Sequence, residues 1–95
     1  MLNINTRLMG ENSNKFETLQ QARKDLMGEI EAIIQYDYHA HSTQDSAARQ
    51  TWISIKNEEL NHVGELLALL NYLDTSQKQH VEKGVEEFNE ILSKR

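Results

Sequence analysis

Glu29, Glu59 and His62 are the residues of this chain whose types and spacing best suit chemistry. Two carboxylates and an imidazole form a donor set for a first-row divalent ion, with iron or manganese favoured and zinc acceptable. Glu59-x-x-His62 spans one helical turn and projects both side chains from one face. Alone that pair is a weak signal, more often solvated than ligating, so its neighbours decide its meaning.

Steps of three and four through the second half of the chain pass through Ala48, Trp52, Ile55, Glu59, His62, Leu66, Leu69 and Leu73. This is a helical core stripe with two polar residues at its middle. Glu58 and Glu65 fall off the stripe and are expected in solvent. A matching stripe upstream, Ala22, Leu26, Glu29, Ile33, Tyr36 and Ala40, carries one glutamate and a tyrosine among apolar residues. With a turn near residue 44, Glu29 and Glu59 stand about 15 residues to either side, roughly 22 Å from the bend at 1.5 Å per residue. The two carboxylates are therefore level. An ionised carboxylate in a core needs a partner, and neither stripe contains Lys or Arg, so a divalent cation is the partner left over.

The elements that position these residues follow from the same periodicity. An extended or mobile arm is expected over 1–14 and a single helical domain over 15–95. The first helix runs from about Lys15 to Ala40 and the second over roughly 46–72. A shorter third is marked by Val81, Val85, Phe88 and Leu92. His41-Ser42-Thr43-Gln44-Asp45-Ser46 and Asp74-Thr75-Ser76 supply the turn and capping residues between them. The fold class is all-α, an antiparallel two-helix hairpin plus a shorter C-terminal helix. Ile53, Leu60, Val63, Leu67 and Leu70 form a second apolar row on helix two, as expected of a helix contacted from more than one side.

Composition narrows the functional classes. The 95 residues include no Pro and no Cys, which favours helices and excludes disulfides, thiolate metal sites and cysteine nucleophiles. A net charge of −5 disfavours nucleic acid as a partner. The longest apolar run, Leu66 to Leu70, is too short for a bilayer, and residues 1–15 lack the apolar segment of a signal peptide, so no membrane is expected and the cytoplasm is the default address. A chain this short buries only roughly 60–65% of its unfolded surface. One chain also supplies half of the ligand set of a carboxylate-bridged di-metal bundle, which takes a Glu from each of two helices and a Glu-x-x-His from each of two more. Pairing two hairpins into a four-helix bundle remedies both shortfalls.

From about Gln20 to Glu90 the chain resembles the encapsulated ferritins, short ferritin-like proteins with half a ferritin bundle per chain. The resemblance rests on Glu29-Ile30-Glu31-Ala32, Tyr36-Asp37, the Ser42-Thr43 turn and Asn57-Glu58-Glu59-Leu60-Asn61-His62. It implies that Glu29, Glu59 and His62 ligate a di-iron centre shared between subunits, that Tyr36 stands beside it, and that Glu31 belongs to an outer position where metal is taken up. It implies a ferroxidase that oxidises Fe(II) with dioxygen for iron storage or detoxification, with Mn or Zn as possible substitutes. It also implies a homodimer built into a ring, a decamer, that passes oxidised iron to an encapsulin shell and so works inside an encapsulin compartment. Two features depart from the family pattern. Gly28 stands where relatives can carry a further acidic residue, and Glu90-Ile91-Leu92-Ser93-Lys94-Arg95 is not a Gly-Ser-Leu type shell-targeting tail.

Two other readings use the same residues. In one, Glu29, Glu59 and His62 form a buried hydrogen-bond network that fixes register in a non-catalytic helical interaction module. In the other the site holds manganese or handles peroxide. His39 and His41 suit the negative end of helix one, His80 the surface, and Trp52 a core or interface anchor.

Overall fold

The computed structural model describes the backbone of residues 4–95 and the side chains from Asn14 onward. It is all-helical: α1 (Ile4–Ser42), α2 (Ser46–Leu73) and α3 (Thr75–Ser93). α1 and α2 form the antiparallel hairpin, and α3 leaves its open end. Among the described residues no helix is long and apolar enough to cross a membrane.

Capping chemistry sets the helix ends. The Asp45 side chain accepts the Ala48 amide at 2.8 Å, closing the first turn of α2, and Thr43 Oγ1 accepts the Asp45 amide at 3.1 Å. Arg49 reaches back to donate to the carbonyls of Ala40 and Thr43, satisfying acceptors that the end of α1 leaves open. Asp74 ends one helix and starts the next. Its amide donates to the Leu70 carbonyl at 3.0 Å, and its side chain accepts the Gln77 amide at 3.2 Å.

α1 begins well before the apolar pattern does. The arm expected over 1–14 is helical from Ile4, while residues 1–3 lie outside the described part. The physical reason is propagation. Once the packed part of a helix exists, each further residue costs little, and no proline interrupts 4–14.

All six residues of the α1 stripe, Ala22 through Ala40, are buried or half-buried against α2. The α2 stripe holds from Ala48 to Leu66 with His62 partly open, but its last turns differ. Leu70, assigned to the second row, is 2% exposed, while Leu69 is 40% exposed. A straight helix turns every 3.6 residues, so a seam stepped at 3.5 drifts about 20° per heptad and rotates Leu69 out.

Among the described residues only Ala22, Ala40 and Leu70 are fully buried apolar residues. The radius of gyration is 19.2 Å and the molecule is 15 Å thick. A compact domain of this length would have a radius of about 12 Å. The fold is thus a single layer, whereas stable domains pack at least two. Among the described residues nothing covers either broad face of the hairpin.

Candidate metal centre

Half-way along the hairpin the two stripes meet at Glu29, Glu59 and His62. His62 Nδ1 lies 3.4 Å from Glu29 Oε1 and 3.5 Å from Glu59 Oε2, and the three donor atoms all lie within 4.8 Å of one another. Among the described residues this is the one group of His, Cys, Asp or Glu close enough to share a metal ion. Bonds of about 2.1 Å to oxygen and nitrogen put neighbouring ligands on one ion roughly 3.0–3.4 Å apart. The two spacings to His62 fall close to that range, and the donor set has the chemistry iron accepts.

The surroundings suit a cation. Glu29 and Glu59 are half-buried between the helices, with side chains 24% and 19% exposed, while His62 opens at 48%. The cluster faces an open depression of about 580 Å³ lined also by Lys24, Asp25, Gly28, Glu65 and Leu66. Lys24 forms no ion pair with Glu29 or Glu59 among the described residues. Among the described residues the half-buried carboxylates thus have only His62 for a partner, and Asp25 and Glu65 add negative potential at the rim.

The other expected residues separate into two groups. Tyr36 lies on the inner stripe but turns its ring edge-on to His39, with ring centres 6.4 Å apart, and makes no hydrogen bond among the described residues. His39 is not a solvated helix-end histidine. It is half-buried and packs on Trp52, ring centres 4.9 Å apart. Trp52 is accordingly a core residue at the base of the hairpin. Glu31 and Glu58 are exposed and stand outside the cluster. His41 and His80 are exposed, as expected. Asp25 and Glu65 were not singled out as rim residues in the sequence. The available signal was their place, one turn from Glu29 and His62 on the same side.

No family model matches the chain. Over 93 residues it is 33% identical to a ferritin-like–encapsulin shell fusion protein of Pyrococcus furiosus, an alignment that takes in 96% of this chain and 27% of that protein. The chain thus spans about a quarter of that curated relative. The crystal structure of the encapsulated ferritin domain from Pyrococcus furiosus superposes with a TM-score of 0.78 at 34% identity, covering 80% of this chain and 78% of the other. The chain belongs to the encapsulated ferritins. In this encapsulated ferritin a third helix projects from the hairpin, and the hairpin's midpoint holds the Glu29, Glu59 and His62 cluster.

Proposed function

We propose that this encapsulated ferritin is a ferroxidase that oxidises Fe(II) with dioxygen at a di-iron site completed by a second copy of the chain. The observation that carries the reading is the convergence of Glu29 Oε1, Glu59 Oε2 and His62 Nδ1 on one point beside an uncovered face. Three donors are too few for two ions, and a two-fold partner presenting the same face doubles them to four carboxylates and two imidazoles. Two ferrous ions held there would supply two electrons to dioxygen and leave as Fe(III).

The chain's own residues have distinct tasks. Glu29 and Glu59 offset the charge of the ions and favour the ferric state. His62 must present Nδ1 unprotonated, so protons compete with metal and affinity falls in acid. Asp25 and Glu65 concentrate cations at the mouth, and Glu31 serves an outer uptake position. Tyr36, two turns from Glu29 on the inner stripe and packed edge-on to His39, would support the hairpin wall that carries the site. Manganese or zinc would occupy the same donors. The fusion of its relative to an encapsulin shell supports a shell as partner for this chain too, and so a place inside such a compartment, with the ring-shaped decamer as the assembled form.

A second reading has its own observation. A protonated His62 between two carboxylates at 3.4 and 3.5 Å is also a self-sufficient ion-pair network that needs no metal. Oxygen uptake on adding Fe(II) under air separates the two. The ferroxidase reading expects rapid uptake that Glu59→Ala and His62→Ala abolish, with close to two irons per pair of chains in the wild type. Unchanged uptake and metal content in both variants would leave the network reading standing.

A further inference from the structure

The depression over the metal centre has two levels. At the inner level stand Glu29, Glu59 and His62, which offer two oxygen donors and one nitrogen. One helical turn away along each helix, Asp25 and Glu65 line the rim with carboxylates alone. The two levels suit different ions. Calcium and magnesium are hard cations that bind through oxygen, which is all the rim provides. First-row transition ions such as iron also accept imidazole, which only the inner level holds. A hard cation lodged at the rim would stand in the way of a ferrous ion.

Lys24 is the one Lys or Arg that lines this depression among the described residues. It stands beside Asp25 at the rim, about a turn of α1 from Glu29, and its side chain is exposed. Its neighbour Arg23 is held by Gln77 and Asp74, and Lys56 by Asp37, but Lys24 forms no ion pair among the described residues. Gly28, one turn on along the same side of α1, has nothing within 4 Å of the place a Cβ would take. The ammonium therefore has open access to the depression.

We infer that Lys24 is a specificity-determining residue that keeps hard, oxygen-seeking divalent cations off the rim and leaves the inner donors to the metal that imidazole selects. Distance makes the effect selective. A unit positive charge about 5 Å from a divalent ion in water lowers its affinity roughly fifteenfold, and one about 10 Å away roughly fourfold. The rim level is nearer to Lys24 than the inner level by one turn, about 5 Å. Its charge therefore disfavours a rim-bound calcium about four times more than an inner-bound transition ion, and His62 gives that ion a bond calcium does not seek. This inference rests on the proposed metal reading and adds the residue that chooses the ion.

Isothermal titration calorimetry of the full chain at low ionic strength tests it, with Ca(II) and separately with Co(II) as an air-stable stand-in for Fe(II). Lys24→Gln removes the charge from an exposed side chain, and circular dichroism checks that it stays helical. It is expected to raise Ca(II) affinity roughly fifteenfold and Co(II) affinity roughly fourfold, so that discrimination against calcium falls about fourfold. Lys24→Arg keeps the charge and should keep wild-type values for both ions. Both gains should fade in about 0.5 M salt, where screening is short-ranged. Ca(II) affinity that does not rise in Lys24→Gln, equal gains for the two ions, or the same gains in Lys24→Arg would overturn the inference. If the wild type still takes up Co(II) and His62→Ala does not, such a result removes only the role of Lys24. A wild type that takes up no Co(II) overturns the metal reading and this inference with it.

Discussion

Replacing Glu59 by Gln keeps the side chain's shape and removes its charge, so it separates a metal ligand from a member of a protein-only ion-pair network. Without metal, the ligand oxygens of Glu29 and Glu59 stand no more than 4.8 Å apart. Two unit charges at that distance repel by about 0.9 kcal/mol in water and about 3.5 kcal/mol at an effective dielectric of 20. Both side chains keep contact with solvent, which places the relevant value near the lower figure, about 1 kcal/mol. Among the described residues no Lys or Arg pairs with either carboxylate to offset it. Glu59→Gln is therefore expected to stabilise the metal-free protein at pH 8 by about 1 kcal/mol, a rise of roughly 4–8 °C in midpoint for a domain of this size. Added metal acts oppositely. At a hundredfold excess over its Kd a ligand stabilises by about 2.7 kcal/mol, and the variant loses most of that. Thermal melts by circular dichroism, at one protein concentration, in chelator and with Mn(II), read all of these quantities. A variant less stable than wild type in chelator at pH 8, with an undiminished response to Mn(II), would refute the reasoning and favour the network.

Three further outcomes follow from packing and backbone. Leu70→Ala, at the best-buried apolar position of α2, should cost about 2–4 kcal/mol in denaturant unfolding, a large part of a small domain's stability. A loss under 1 kcal/mol would mean that Leu70 is not a core residue. Gly64→Ala places a methyl where nothing lies within 4 Å and should raise stability by up to about 1 kcal/mol. A loss instead would indicate a neighbouring chain close to that point. Gly28→Glu also enters open space, beside Glu29 at the rim of the metal depression. By deepening the negative potential there it should speed Fe(II) uptake at low ionic strength, with the gain fading as salt is added. A stopped-flow rate that is unchanged at low salt would remove position 28 from the uptake route.

How much of this was legible in the sequence depended on the range of the physics involved. Helix positions over 15–93 and the Asp45 and Asp74 caps are local properties, and periodicity with cap chemistry reports them directly. The pairing of Glu29 with Glu59 is long-range, yet it was legible because a hairpin with one short turn leaves almost no freedom in level. The exchange of Leu69 for Leu70 was not, since the drift between 3.5 and 3.6 residues per turn accumulates over several turns and depends on how straight the helix runs. The early start of α1 was hidden because helix propagation needs no apolar pattern. His39 was read from its place near a helix end, where the dipole argument applies, but its side looks inward onto Trp52, a contact that only the packed hairpin defines. Asp25 and Glu65 looked like ordinary solvated acids. They acquire a role only once the depression between the helices exists.

The central claim is that two copies of this chain share two iron ions through Glu29, Glu59 and His62. Anomalous diffraction at the iron edge, from crystals grown anaerobically with Fe(II), tests it most directly. The expected result is two iron peaks astride a two-fold axis between hairpins, each bonded to carboxylate oxygens and to a His62 Nδ1. Iron bound elsewhere, or a cluster with no anomalous peak at saturating Fe(II), would contradict the account.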